Sequence, residues 1–266
     1  MENVLDIIYN YSKEHKFLDK EAVLLICKIL INQYNIDNIS SINIDKSHRP
    51  HSTHGYCKGK EIGICLPHIY SFIKNEDFDK EFKDDFDNYL KCNWYILHTI
   101  LHELEHAKQR IKIKSNDNDM ETKLLRLEYE YIIEMLKERY DSLKKYFNYK
   151  KKSKTYKILY LIQFSERMAE INSNNKGLEI IKPIKDEKEE LYDFFENHYI
   201  ASKICTYPPQ DKYPGPTDLF FKYIDKREEL NKIKPSILSY EDRLNYGFEL
   251  TTEEVKKTLE LIKKHK

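Results

Sequence analysis

Glycine and proline are scarce here, with six and eight residues in a chain of 266. A chain so poor in breakers, and rich in Lys, Ile, Asn and Tyr, reads as a soluble and mostly helical protein. Cysteine is sparse as well. Cys27, Cys57, Cys65, Cys92 and Cys205 form no C-x-x-C pair, and an odd, scattered set points to reduced thiols in a cytosol. Cys92 is expected to pack in the interior as a small hydrophobe. Net charge is absent, since 45 basic residues face 45 acidic ones. No overall pull toward nucleic acid or an anionic membrane follows from that balance. Long apolar runs are missing too. The most apolar stretch, Ala22 to Ile31, is broken by Lys28 and is too short to span a bilayer. The opening Met-Glu-Asn-Val-Leu-Asp is acidic and leads into no apolar core, so no signal peptide is expected and the cytoplasm is the expected location. The length suffices for one large domain or two small ones.

Against that background one stretch stands out, His98-Thr-Ile-Leu-His102-Glu103-Leu-Glu-His106. It contains H-E-x-x-H. Residues four apart on a helix lie on one face, so His102 and His106 can grip one zinc ion, and Glu103 can reach a water bound to it. The motif needs a helix, and the helix signal is strong. Leu90, Trp94, Leu97, Leu101, Leu104 and Ile111 form an apolar stripe, widened by Ile96 and Ile100, and residues 79 to 112 hold neither Pro nor Gly. His98 lies one turn before His102 on the same row. It is placed either as packing at the helix start or as a group that lines the cleft or supports a ligand.

Around the motif, residues 2–14 and 19–34 read as amphipathic helices, and 35–38 as a turn. Ile39 to Ile44 alternates loosely. Gly55 to Leu66 reads as extended around a Lys-Gly-Lys turn, with Ile62, Ile64 and Leu66 at the period of a half-buried strand. Pro67 ends it and a short helix, 68–74, follows. A small sheet thus precedes the motif helix, an order similar to that of zincin cores. By position, Ile62 to Leu66 is the candidate edge strand on which an extended peptide would add, with Ile62 and Ile64 as its contacts. His48, His51 and His54 fall in a stretch with Pro50, read as a loop beside the cleft; a second metal or a substrate contact is the alternative. A long helix is expected over about 119–147, a solvated turn at Lys150–Lys154, a helix over Glu187–Cys205, a four-proline connector at 207–217 and a last helix capped by Thr251.

Hydrolytic zinc sites use three protein ligands and keep a position for water. No further histidine follows the motif, since residues 107–112 are Ala-Lys-Gln-Arg-Ile-Lys. A later helix offers an acid instead. Leu159, Ile162, Glu166, Ala169 and Ser173 share one helical face, and a carboxylate on an apolar row must be paired or bound to a metal. Glu166 is therefore the candidate third ligand and Glu170 the group that orients a ligand histidine, with the reverse assignment also open. Pairing of Glu166 with a lysine or arginine is the plainer alternative.

His-Glu-Leu-Glu-His at 102–106, followed by Ser-Glu-Arg-Met-Ala-Glu at 165–170, resembles a small gluzincin of the ImmA/IrrE-like zinc metallopeptidases carried by phages and other mobile elements. The resemblance spans residues 55 to about 175. It departs from the usual pattern at Glu105, where the family often has Gly, and at Glu170, in place of the Asn of E-x-x-A-N. It implies a zincin-like core and endopeptidase activity against a protein substrate, often a regulator of the mobile element.

The expectation is thus an α+β, predominantly helical protein. A zincin-like domain would fill residues 1–175 and a helical extension 176–266. Its activity would be a zinc-dependent endopeptidase, with metal-bound water as nucleophile and Glu103 as general base. The alternative is a non-catalytic zinc-binding or partner-binding protein on the same scaffold.

Overall fold

The computed structural model describes residues 3–44, 54–75, 82–119, 121–123, 125–126, 128–130, 141, 164–203, 237–245, 251–253 and 256. The chain is α+β and mostly helical, with one small sheet. It divides into two compact units. The first comprises Met1–Ile111 and Asn172–Tyr199, the second Lys112–Ile171 and Ile200–Lys266. The expected division at 175/176 falls instead inside a helix, α5 (Phe164–Ile181). No proline falls within α5, and Pro183 stands in the short 3-10 turn Lys182–Ile184 that follows.

The first unit begins with α1 (Val4–Lys13). Asn3 accepts the Asp6 N–H at 2.8 Å and Asp6 accepts the Asn3 N–H at 3.3 Å, a reciprocal cap that satisfies two otherwise orphaned donors. Helix α2 (Lys20–Gln33) starts on Asp19, which accepts the Ala22 N–H at 2.9 Å. Both helices bury one apolar face, Val4, Ile7 and Ile8 on α1 and Val23, Ile26, Cys27 and Leu30 on α2. The turn joining them is stitched to the motif helix by Asn93, fully buried. Its amide oxygen accepts the Leu18 N–H at 2.8 Å, and its amide nitrogen donates to the Lys16 carbonyl at 3.0 Å and to Ser12 Oγ at 3.1 Å.

Strands β1 (Ser41–Ile44), β2 (Gly55–Lys58) and β3 (Glu61–Ile64) form the sheet in the order β1-β3-β2. β1 runs parallel to β3 and β2 antiparallel to it. This corrects the expected place of Ile62 and Ile64. They lie on the central strand, paired on both sides, and are 0% and 1% exposed, so neither can offer an edge to a peptide. Among the described residues β2 is the outer strand nearer in sequence to the site. The alternation with Glu61, Gly63 and Cys65 suggested one open face, but that face is covered at Gly63. A Cβ there would lie 2.1 Å from Tyr56 Cε1, and the Tyr56 hydroxyl crosses on to donate to Glu61 Oε1 at 2.5 Å. Gly63→Ala is expected to destabilise the protein by about 1–3 kcal/mol through displacement of that ring. Urea unfolding checks this, and an unchanged midpoint would show that the ring moves aside freely.

Helix α3 (Leu66–Asn75) starts two residues earlier than expected, because Pro67 is accepted in the first turn, where its missing N–H has no helical partner to lose. Helix α4 (Asp85–Lys114) is the motif helix and runs 30 residues. Its buried Leu90, Trp94, Leu97, Ile100, Leu101 and Leu104 join the α1–α2 pair and the sheet in one core. Cys92 is buried, as its apolar reading requires, and burial pushes its thiol up to about 11. Helix α6 (Glu189–Lys203) adds Leu191 and Phe195, the latter stacked on Trp94 with centroids 4.5 Å apart.

In the second unit, Asp119 accepts the Thr122 N–H at 2.9 Å and its hydroxyl at 2.7 Å. Glu128 takes the Ser165 N–H at 2.8 Å. Helix α7 (Tyr240–Asn245) is short, and Thr251 precedes helical Thr252 and Glu253. His48 and His51, most of the expected 119–147 helix, the Lys150–Lys154 turn, Leu159, Ile162 and the 207–217 connector lie outside the described residues. No described helix is long and apolar enough to cross a membrane.

Candidate metal centre

Helix α4 carries a row at four-residue steps, Trp94, His98, His102 and His106, because i and i+4 positions stack on one face. His102 is buried and His106 half-buried. Their Nε2 atoms lie 3.1 Å apart. Two nitrogens bound to one tetrahedral zinc at about 2.0–2.1 Å would stand about 3.3 Å apart, so the pair is already close to that spacing. The third member comes from the first turn of α5. His102, His106 and Glu166 each offer one ligand atom, and these atoms all lie within 4.8 Å of one another. Two imidazoles and a carboxylate are the donor set that a borderline-soft divalent ion accepts. The group can hold a metal ion.

A ligand histidine needs its proton on the ring nitrogen away from the ion. His106 meets this. Its Nδ1 donates to the Gln109 carbonyl oxygen at 2.9 Å, which leaves the Nε2 lone pair directed to the group. Gln109 is itself buried, 5% exposed. The sequence points to Glu170 as the orienting group, with the reverse assignment open, and does not single out Gln109, which makes this contact to His106. The signal was its position three residues after His106, on the same face. Glu170 sits one turn beyond Glu166 on α5 and falls outside the three-residue group. His98 is hydrogen-bonded through Nε2 to Ser173 Oγ on α5 at 3.0 Å, and its ring lies 5.6 Å from Trp94 and 6.5 Å from His102. It packs α4 to α5 beside the ligand row.

Glu103 is 7% exposed and lies against the start of β2. A Cβ on Gly55 would come within 2.7 Å of Glu103 Cγ and 2.8 Å of Oε1, so only glycine lets the strand approach the carboxylate this closely. Arg110, one turn after His106, holds the strand there. Its guanidinium donates to the carbonyls of Cys57 and Gly59, the latter at 3.1 Å. Burial, opposed by Arg110 and reinforced by Glu103, pushes the Cys57 thiol up to about 11, so it stays protonated at neutral pH.

The residue before Gly55 is His54, the described member of the expected histidine loop. Its Nδ1 is hydrogen-bonded to the Tyr95 hydroxyl at 2.9 Å. Burial, with His68 adding to it, holds this imidazole below the usual histidine range. In the unfolded chain it titrates near 6.5. Between the lowered folded value and that point the unfolded state binds the extra proton, so stability present above about pH 6.5 is lost as pH falls through the window. The unfolding midpoint is expected to drop from pH 7 to pH 5, and His54→Gln to flatten that slope. An equal slope in the variant would assign the loss to other groups. In comparisons with family models, curated proteins and solved structures, the chain matches none.

Proposed function

We propose that the chain is a zinc-dependent metallo-endopeptidase of gluzincin type, with a zincin-like core and a protein or peptide as substrate. The observation that carries the reading is the convergence of His102, His106 and Glu166 with Glu103 at the adjoining helix position. The sequence resemblance to ImmA/IrrE-like peptidases supports the same assignment. His102, His106 and Glu166 would hold the ion, and Gln109 keeps His106 in the ligand tautomer. A zinc ion held there would supply a bound water with its pKa lowered toward about 7. Glu103 accepts the proton of the attacking water and delivers it to the leaving amine nitrogen. Gly55, which lacks a Cβ, leaves the Glu103 carboxylate room.

The reading is tested by incubating the full chain with a peptide mixture prepared from a whole proteome, with one equivalent of zinc or with excess chelator. New termini that form only with zinc support it; identical mixtures overturn it. A second reading, a non-catalytic zinc-binding or partner-binding protein, draws on the burial of Glu103. A protein side chain filling the fourth metal position would favour that reading.

A further inference from the structure

Glu105 has no part in the proposed chemistry, yet it is one of the most heavily bonded side chains near the metal group. It stands directly before His106 and is 6% exposed. A carboxylate removed from water is costly unless its oxygens are matched by donors. Here Oε1 accepts Lys108 Nζ at 2.9 Å and Lys176 Nζ at 2.6 Å, and Oε2 accepts the Asn172 amide at 3.2 Å. Burial pushes this carboxyl up, but the two ammonium groups outweigh it and hold it below the usual carboxylate range. The second positive charge is met by an aromatic face. Lys108 and Lys176 both lie over the Tyr34 ring, at 4.2 and 3.9 Å from its centroid.

Two of the three donors, Asn172 and Lys176, belong to α5 and stand one turn apart on it. A packed apolar contact would join α4 and α5 at least as strongly, but it would tolerate sliding and rotation. Directional bonds to one buried carboxylate do not. On the neighbouring face of α5, Ser173 meets His98, and Gly177 lies so near Trp94 that a Cβ there would be 3.1 Å from Nε1. These contacts fix both the rotation of α5 about its axis and its position along α4. Helix α5 is continuous from Phe164 to Ile181, so its first turn follows wherever this segment is set. At 1.5 Å per residue, Glu166 lies about 9 Å along the axis from Asn172 and about 15 Å from Lys176.

We infer that Glu105 and Lys176 form a positioning pair that sets the angle at which α5 presents the Glu166 carboxylate to His102 and His106, and so governs metal affinity. This rests on the reading of those three residues as the metal group. It assigns Glu105 a role through Glu166, without contact with substrate.

The test uses the full chain freed of metal by chelator dialysis. Zinc affinity is measured by competition with a chromophoric chelator, and the coordination sphere by the visible absorption of bound cobalt(II). In Lys176→Gln, Glu105 keeps Lys108 and the fold is retained. Zinc affinity is expected to fall by about tenfold or more, and the cobalt bands to weaken as Glu166 leaves the sphere. Glu105→Gln should show the same change. The exchanged pair, Glu105→Lys with Lys176→Glu, should recover most of the affinity. A merely structural role would lower the melting temperature of these variants and leave affinity and spectrum as in the parent. That outcome, with the parent binding one zinc, overturns the positioning pair alone. A parent chain that binds no zinc overturns the metal reading and the pair with it.

Discussion

Glu103→Gln is expected to bind one zinc per chain and to cut no peptide. The substitution keeps the length and shape of the side chain, so its packing against Gly55 survives. It removes the basic oxygen and leaves His102, His106 and Glu166 untouched. Loss of a general base costs about 10²- to 10⁴-fold in rate, enough to take cleavage of a peptide mixture below detection. Two measurements are needed on one preparation: zinc content by atomic emission, and new peptide termini by mass spectrometry. Zinc retained with cleavage lost is the expected pair of results. Undiminished cleavage would show that the proton is carried by another group, and the proposed chemistry would then be wrong at its centre.

His102→Ala is expected to abolish stoichiometric zinc binding. It deletes one donor of three and separates His106 from the neighbour whose Nε2 stands 3.1 Å away. Loss of an outer partner alone weakens metal sites about 10- to 100-fold, so loss of a direct ligand should exceed the upper end of that range. The effect also reads out as stability. An ion present at about 100 times its dissociation constant adds about 2.7 kcal/mol to the folded state, which for a chain of this size raises the melting temperature by about 5 °C or more. Zinc should therefore raise the melting temperature of the parent chain and leave that of His102→Ala where it was. An equal rise in both would place the ion elsewhere.

The parts of this architecture that announce themselves in sequence are those set by local repetition. The i, i+3, i+4 stripe of α4 depends only on near neighbours, and the helix stands where that signal puts it. Glu166 was also legible, because an acid on the apolar row of a helix needs a partner of opposite charge. The strand order was not. The pairing of Ser41 with Glu61 joins segments far apart in the chain, and a period of two is the same for a central strand as for an edge. Nothing in a lone Gly63 says that a tyrosine ring will lie over it. Gln109 is not legible in the sequence, because a neutral amide carries no charge pattern, whereas the charge of Glu170 fits an orienting role. The Glu105 cluster gathers Lys108 of α4, Lys176 of α5 and Tyr34, which caps the end of α2, and no spacing along the chain reveals such a meeting.

Three thiols, those of Cys27, Cys57 and Cys92, bear on how this protein can be handled at the bench. With Cys27 pushed up to about 12 and Cys57 and Cys92 to about 11, those sulfurs remain protonated in neutral buffer and are poor competitors for soft ions. Titrations with zinc or cobalt should then meet little competition from these three sulfurs. Sulfur-to-cobalt charge-transfer bands from these three residues should be missing from the near-ultraviolet.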